Sequence, residues 1–220
     1  MRVFTGVLVF LFCVSSTQSM GLEFDPGVPF FLKEQVEGDL QFADSVRNTR
    51  VSKLHREIFG SAGQGEALRW FDSRVSYFGY GDCGGSATAV ACVQGRNDRK
   101  IWVTRNYVEI EHPQVARVMT LFHEARHTEG HRRNWPHSRC SPFFKHKSIW
   151  TGSDLRWHFA CDRTEYGSYG SASVLLNNIS RFCSNCTEKV RRDAAIYSED
   201  QVKRIVRRSA SLRIKADFRE

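Results

Sequence analysis

Residues 113–130 read Pro113-Gln114-Val115-Ala116-Arg117-Val118-Met119-Thr120-Leu121-Phe122-His123-Glu124-Ala125-Arg126-His127-Thr128-Glu129-Gly130. Pro113 suits the first position of a helix, where a missing N–H costs nothing. Val115, Val118, Met119 and Phe122 then recur at the i, i+3, i+4, i+7 spacing of a core-facing stripe, and Gly130 terminates the pattern. The same helix carries His123-Glu124-Ala125-Arg126-His127, an H-E-x-x-H arrangement. Residues four apart share one helix face, so both imidazoles reach one divalent ion, with Glu124 beside them as a proton acceptor.

At these residues the chain resembles the zincin metallopeptidases. The resemblance covers about residues 100–131, a strand followed by the motif helix. It implies one Zn²⁺ ion bound through His123 and His127, with Glu124 as catalytic base in peptide hydrolysis. The metzincin branch reads H-E-x-x-H-x-x-G-x-x-H; Gly130 matches it, but Arg133 stands at its third-ligand position.

A catalytic zinc needs a third protein ligand and one vertex left to water. On a continuous helix His131 rises about 12 Å above His123, too far for one ion, so it qualifies only if the chain turns sharply at Gly130. His137, ten residues after His127 in Trp135-Pro136-His137-Ser138-Arg139-Cys140, has enough chain to double back and is the expected ligand. Asp162 and Glu165 are carboxylate alternatives, and His146 and His158 remain further ones.

Outward from the motif, residues 87–93 and 101–108 are rich in Val, Ile, Trp and Tyr and read as a hairpin about the polar turn Gly95-Arg96-Asn97-Asp98. Residues 34–59 hold one or two helices, and helical patterns return at 171–182, 188–197 and 200–212. Residues 21–31 read as an extended lead-in, and residues 67–78 fit neither period. The expected fold is therefore α+β: a small antiparallel sheet packed on the motif helix, followed by a helical C-terminal part, with disulfides. Residues 20–220 form one domain in this reading.

Residues 1–19 have the pattern of a secretory signal peptide: Arg2, a short apolar run over 3–14, then Ser and Thr. The run is too short to span a bilayer, which needs about 20 apolar residues. Export places the protein outside the cell. Cys13 leaves with the leader, and the remaining six cysteines suit three sequence-local disulfides, Cys83–Cys92, Cys140–Cys161 and Cys183–Cys186. Asn178-Ile179-Ser180 and Asn185-Cys186-Thr187 are N-glycosylation sequons.

An apolar share of 41% with 16 Phe and 5 Trp excludes a disordered chain. The chain carries 32 Lys and Arg against 24 acidic residues, and losing Arg2 leaves 31. Much of the surplus lies in the last forty residues, where Lys203, Arg204, Arg207 and Arg208 form a basic helix face, read first as a solvated face and second as one suited to a polyanion. Tyr166 and Tyr169 lie near the alternative ligands and read first as packing residues, with stabilisation of an oxyanion as the functional alternative. Cys83 in a Gly-rich loop and the Cys183–Cys186 spacing are better explained as disulfides than as a nucleophile or a redox pair. Three functions follow, in descending order: a secreted zinc peptidase acting on protein or peptide, a non-catalytic metal- or polyanion-binding module, and a small basic effector acting on nucleic acid or membrane.

Overall fold

The computed structural model describes residues 21–61, 66–85, 89–95, 99–129 and 135–219. The expected leader, Gly130, His131 and most of the expected hairpin turn lie outside them. Short strand β1 (Glu23–Phe24) leads into helices α1 (Phe30–Ser45), α2 (Lys53–Phe59) and α3 (Glu66–Asp72). Strands β2 (Tyr77–Tyr80), β3 (Ala91–Cys92) and β4 (Lys100–Val103) follow, then α4 (Asn106–Glu109) and the motif helix α5 (Gln114–His127). Strands β5 (Ser138–Arg139) and β6 (Phe159–Cys161) precede three C-terminal helices, α6 (Ser168–Phe182), α7 (Glu188–Lys203) and α8 (Arg208–Asp217).

The expected antiparallel sheet is in fact mixed. Its order is β1-β2-β4-β3, with β2 parallel to both β1 and β4 and only β3–β4 antiparallel. Three helices separate β1 from β2, and such crossovers return the chain in the same direction. The hairpin therefore exists, but as the sheet's edge. The second expected strand stops at Val103, because residues 106–109 turn helical to bury Tyr107, whose hydroxyl donates to Asp39 at 2.8 Å.

Helix α1 starts at Phe30, earlier than the lead-in reading allowed, with Leu32, Val36, Leu40 and Ala43 on its buried side. Pro113 caps α5 in extended conformation, one place ahead of the first helical residue. Every residue of α5 from Val115 to Arg126 except Arg117 is buried. Helices α1, α6 and α7 and strands β3 and β4 surround it, so it is the central rod of the molecule rather than an amphipathic surface helix. Thr128 ends it by turning its hydroxyl to the Ala125 carbonyl at 2.9 Å.

The last two helices divide differently from the sequence pattern. α7 runs unbroken through Tyr197 to Lys203, capped at its start by the Thr187 side chain, and the chain turns at residues 204–207. Lys203 thus ends one helix and Arg208 begins the next, while Arg204 is buried. The four basic residues share no helix face. All three expected disulfides are present. They leave neither Cys83 nor the Cys183–Cys186 pair a free thiol. Among the described residues no helix is long and apolar enough to cross a membrane. Asn178 of the first sequon is fully buried, its amide bonded to Ser52 and the Val174 carbonyl, and cannot carry a glycan in this fold. Asn185 of the second is exposed.

Candidate metal centre

His123, Glu124 and His127 occupy the last turns of α5, on the flank that meets β3 and α6. His137 comes from outside the helix. It immediately precedes β5, which pairs antiparallel with β6 and is tied to it by Cys140–Cys161. That clamp brings residue 137 back over α5.

The three Nε2 atoms form a nearly equilateral triangle: His123–His137 3.2 Å, His123–His127 3.3 Å and His127–His137 3.1 Å. Among the described residues these histidines are the one group placed to hold a metal ion. Two neutral imidazoles can share one proton, but three mutually facing nitrogens cannot satisfy one another in a triangle. The arrangement suits a central cation that all three lone pairs can reach.

The opposite ring edges are occupied. His137 Nδ1 lies 2.8 Å from Asp162 Oδ1. His127 Nδ1 faces the Ser168 hydroxyl at 3.4 Å, and His123 bonds to the Ser168 backbone. A partner at Nδ1 fixes the tautomer that leaves Nε2 bare, as metal-binding histidines require. Burial holds the His123 imidazole well below its usual range, and the adjoining His127, His137 and Arg204 disfavour its protonation further. The ring is therefore neutral and able to coordinate.

Asp162 does double duty, since its other oxygen accepts from the Tyr169 backbone N–H at 2.7 Å. This contact docks the start of α6 against the histidines and requires glycine at two places. A Cβ at Gly167 would lie 2.4 Å from Asp162 Oδ2, and one at Gly170 would lie 2.3 Å from the Glu165 carbonyl oxygen. The Tyr169 ring then stacks on His137 at 4.6 Å between centroids and meets His123 edge-on.

Glu124 sits beside the triangle, almost fully buried. Burial pushes its carboxyl up to about 8, opposed by the Val93 backbone N–H that favours the charged form. A cation among the imidazoles would favour ionisation further. In front of these groups opens a cleft of about 730 Å³. Edge strand β3 lines it, together with Tyr169, Arg204 and the 151–160 segment.

The alternative ligands separate clearly. Asp162 supports His137 rather than joining the triangle, and Glu165 is ion-paired with Arg213 at 2.6 Å. His146 packs against Phe144, while His158 reaches the cleft but not the cluster. His131 lies outside the described residues. Of the two tyrosines, Tyr166 points away and donates to Glu57 at 2.6 Å, so it has no part in the site. The sequence reading missed Ser168 and misplaced Arg204 on a solvated face. The signal for Arg204 was Asp200 four residues earlier, which pairs with it along α7.

No family model, curated protein or solved structure matches the chain.

Proposed function

We propose that the chain is an exported zinc-dependent peptidase of the zincin type, with His123, His127 and His137 holding the ion and Glu124 as its general base. The observation carrying this reading is three imidazole nitrogens converging next to a buried carboxyl on an open cleft. A structural zinc site closes its shell with a fourth protein ligand and has no use for a base.

The donor set fits zinc. Imidazole nitrogens about 2.0–2.1 Å from a tetrahedral ion lie about 3.3–3.4 Å apart, and the triangle's edges are 3.1–3.3 Å. Bound there, zinc supplies a Lewis acid that polarises a peptide carbonyl and makes water acidic near neutral pH.

The chain's own groups do the rest. Glu124 takes a proton from the attacking water and returns it to the departing amine. The Val93 N–H orients the carboxylate for that exchange. Tyr169 has its phenol oxygen accepting from Arg204 Nη1 at 3.0 Å, which leaves its own O–H free to donate to charge developing on the carbonyl oxygen. Asp162 and Ser168 keep the imidazoles aimed. Three disulfides and a leader-like N-terminus favour an extracellular setting.

The test is elemental analysis of purified, untagged protein, followed by digestion of a denatured protein and a mixed peptide library. The expected result is one zinc per chain, cleavage abolished by a chelator, and recovery on adding Zn²⁺. Stoichiometric zinc with no cleavage of any substrate would instead favour the non-catalytic binding module. Absence of any loadable transition metal would overturn both.

A further inference from the structure

Beside Glu124 the cleft continues into a smaller cavity of about 150 Å³. Val90, Met119, Thr120, Trp150 and Gln201 line it, and it shares His123, Glu124, Tyr169 and Arg204 with the main cleft. Arg204 is the one Lys or Arg among its lining residues and is only 5% exposed. Its Nε faces Asp200 Oδ2 at a long 3.3 Å, and its Nη1 donates to the Tyr169 hydroxyl at 3.0 Å. Asp200 is itself shared, because the same oxygen accepts from Gln201 Nε2 at 3.0 Å.

A guanidinium carries five N–H donors. Two are used in these contacts, and no other described residue accepts from the side chain. Asp200 balances the charge and the Tyr169 ring lies 4.7 Å from the guanidinium, but the remaining buried donors are costly unless an acceptor completes them. The matching shape is a planar carboxylate, which meets a guanidinium edge in two parallel hydrogen bonds. The cavity has room for a short side chain and little more.

Position assigns the group's place in a substrate. Glu124 must reach the departing amine to return its proton, and the cavity adjoins Glu124. The residue supplying that amine is therefore the one whose substituent enters. We infer that this cavity is a carboxylate subsite anchored by Arg204, selecting substrates with an acidic group on the residue immediately after the scissile bond. This rests on the peptidase reading. The carboxylate belongs either to an Asp or Glu side chain or to the terminus of a C-terminal residue.

The experiment measures kcat/KM of the zinc-loaded wild-type protein on matched peptides differing only at that residue: Asp against Asn, Glu against Gln, and a C-terminal free acid against its amide. Acidic members should be cleaved about ten- to hundredfold faster, the scale of a charge-assisted hydrogen bond. Arg204→Gln should remove the preference and Arg204→Lys retain part of it. Because the comparison lies between substrates of the wild-type protein, it holds even if a variant misfolds. Whichever matched pair shows the preference identifies the carboxylate's source. Equal rates across all pairs overturn the subsite and leave the peptidase reading intact. Failure to cleave any peptide defeats the peptidase reading first, and calorimetric titration with N-acetyl-aspartyl methylamide and its asparaginyl analogue then decides the subsite. Saturable binding of the aspartyl compound alone supports it, and equal or absent binding overturns it.

Discussion

Helix α5 carries buried polar groups on two flanks, and the flanks handle them in opposite ways. On the side away from the cleft, charges are matched within the protein. Asp39 on α1 accepts from Arg117 Nε and Nη2 at 2.8 and 3.0 Å and from Tyr107 at 2.8 Å. Glu129 accepts from Arg74, Arg126 and the Trp135 indole at 2.6, 2.6 and 2.8 Å. His55, packed on Phe59 near Phe122, is the exception on this flank: burial keeps it neutral, and its Nδ1 meets no hydrogen-bond partner among the described residues. On the cleft side three imidazoles face one another and Glu124 has one N–H to lean on. Groups whose partners are all internal serve the fold. Groups whose lone pairs converge on one point beside an open cleft are arranged to take an external ligand.

That contrast can be broken from either side. The largest expected effect is on the cleft side: Glu124→Gln keeps zinc binding and thermal stability but lowers kcat by about 10²–10⁴-fold, the range of general-base catalysis. Metal content and turnover measured on one preparation check it, and undiminished cleavage would eliminate Glu124 as the base. The internal flank should respond the other way. Asp39→Ala strips the half-buried Arg117 guanidinium and the buried Tyr107 hydroxyl of their shared acceptor and destabilises the fold by about 3–5 kcal/mol. Denaturant unfolding reads this loss, and a variant as stable as wild type would show that the pair is dispensable.

The pH response of the internal flank follows from His55. Burial holds its imidazole down to about 4, against 6.5 when exposed. The unfolded chain therefore binds a proton that the folded one refuses as pH falls through 6.5. Stability is lost progressively from there to about pH 4, by about 3 kcal/mol in all. His55→Leu should flatten the stability curve across that window relative to wild type. Parallel curves would remove His55 from the account. The smallest effect expected is at the boundary between support and ligand. Asp162→Asn can accept from only one of its two partners, His137 Nδ1 or the Tyr169 N–H, and loses the charge behind His137. It should therefore weaken zinc binding by about ten- to hundredfold. A competition titration with a chromogenic chelator would measure this, and an unchanged affinity would make Asp162 purely architectural.

Much of the site was legible beforehand because it obeys short-range rules. His123, Glu124 and His127 lie within five residues on one helix, where spacing alone dictates a shared face. His137 was reachable by a chain-length argument, and the three disulfides by pairing sequence neighbours. What failed depended on partners far away in the chain. The strand reading of 101–108 ended early because Tyr107 is drawn to Asp39, 68 residues away. The basic face dissolved because Arg204 turns inward to Tyr169 and Asp200 while the helix breaks after Lys203. The sheet became mixed through β2, which pairs parallel with both β4 and β1 and begins in the stretch 67–78 that fits neither period.

The order of residues along one helix was sufficient to pair two imidazoles with a carboxylate, since a 3.6-residue repeat is a local property of the backbone. Which third nitrogen completes the triangle, which carboxylate stands behind it, and which arginine reaches the inner cavity were decided only by packing. Those groups come from the residue before β5, the residue after β6 and the residue after α7. Burial of α5 on nearly every side brings these segments onto it, so that residues as far apart as His127 and Ser168, 41 positions, come within hydrogen-bonding distance.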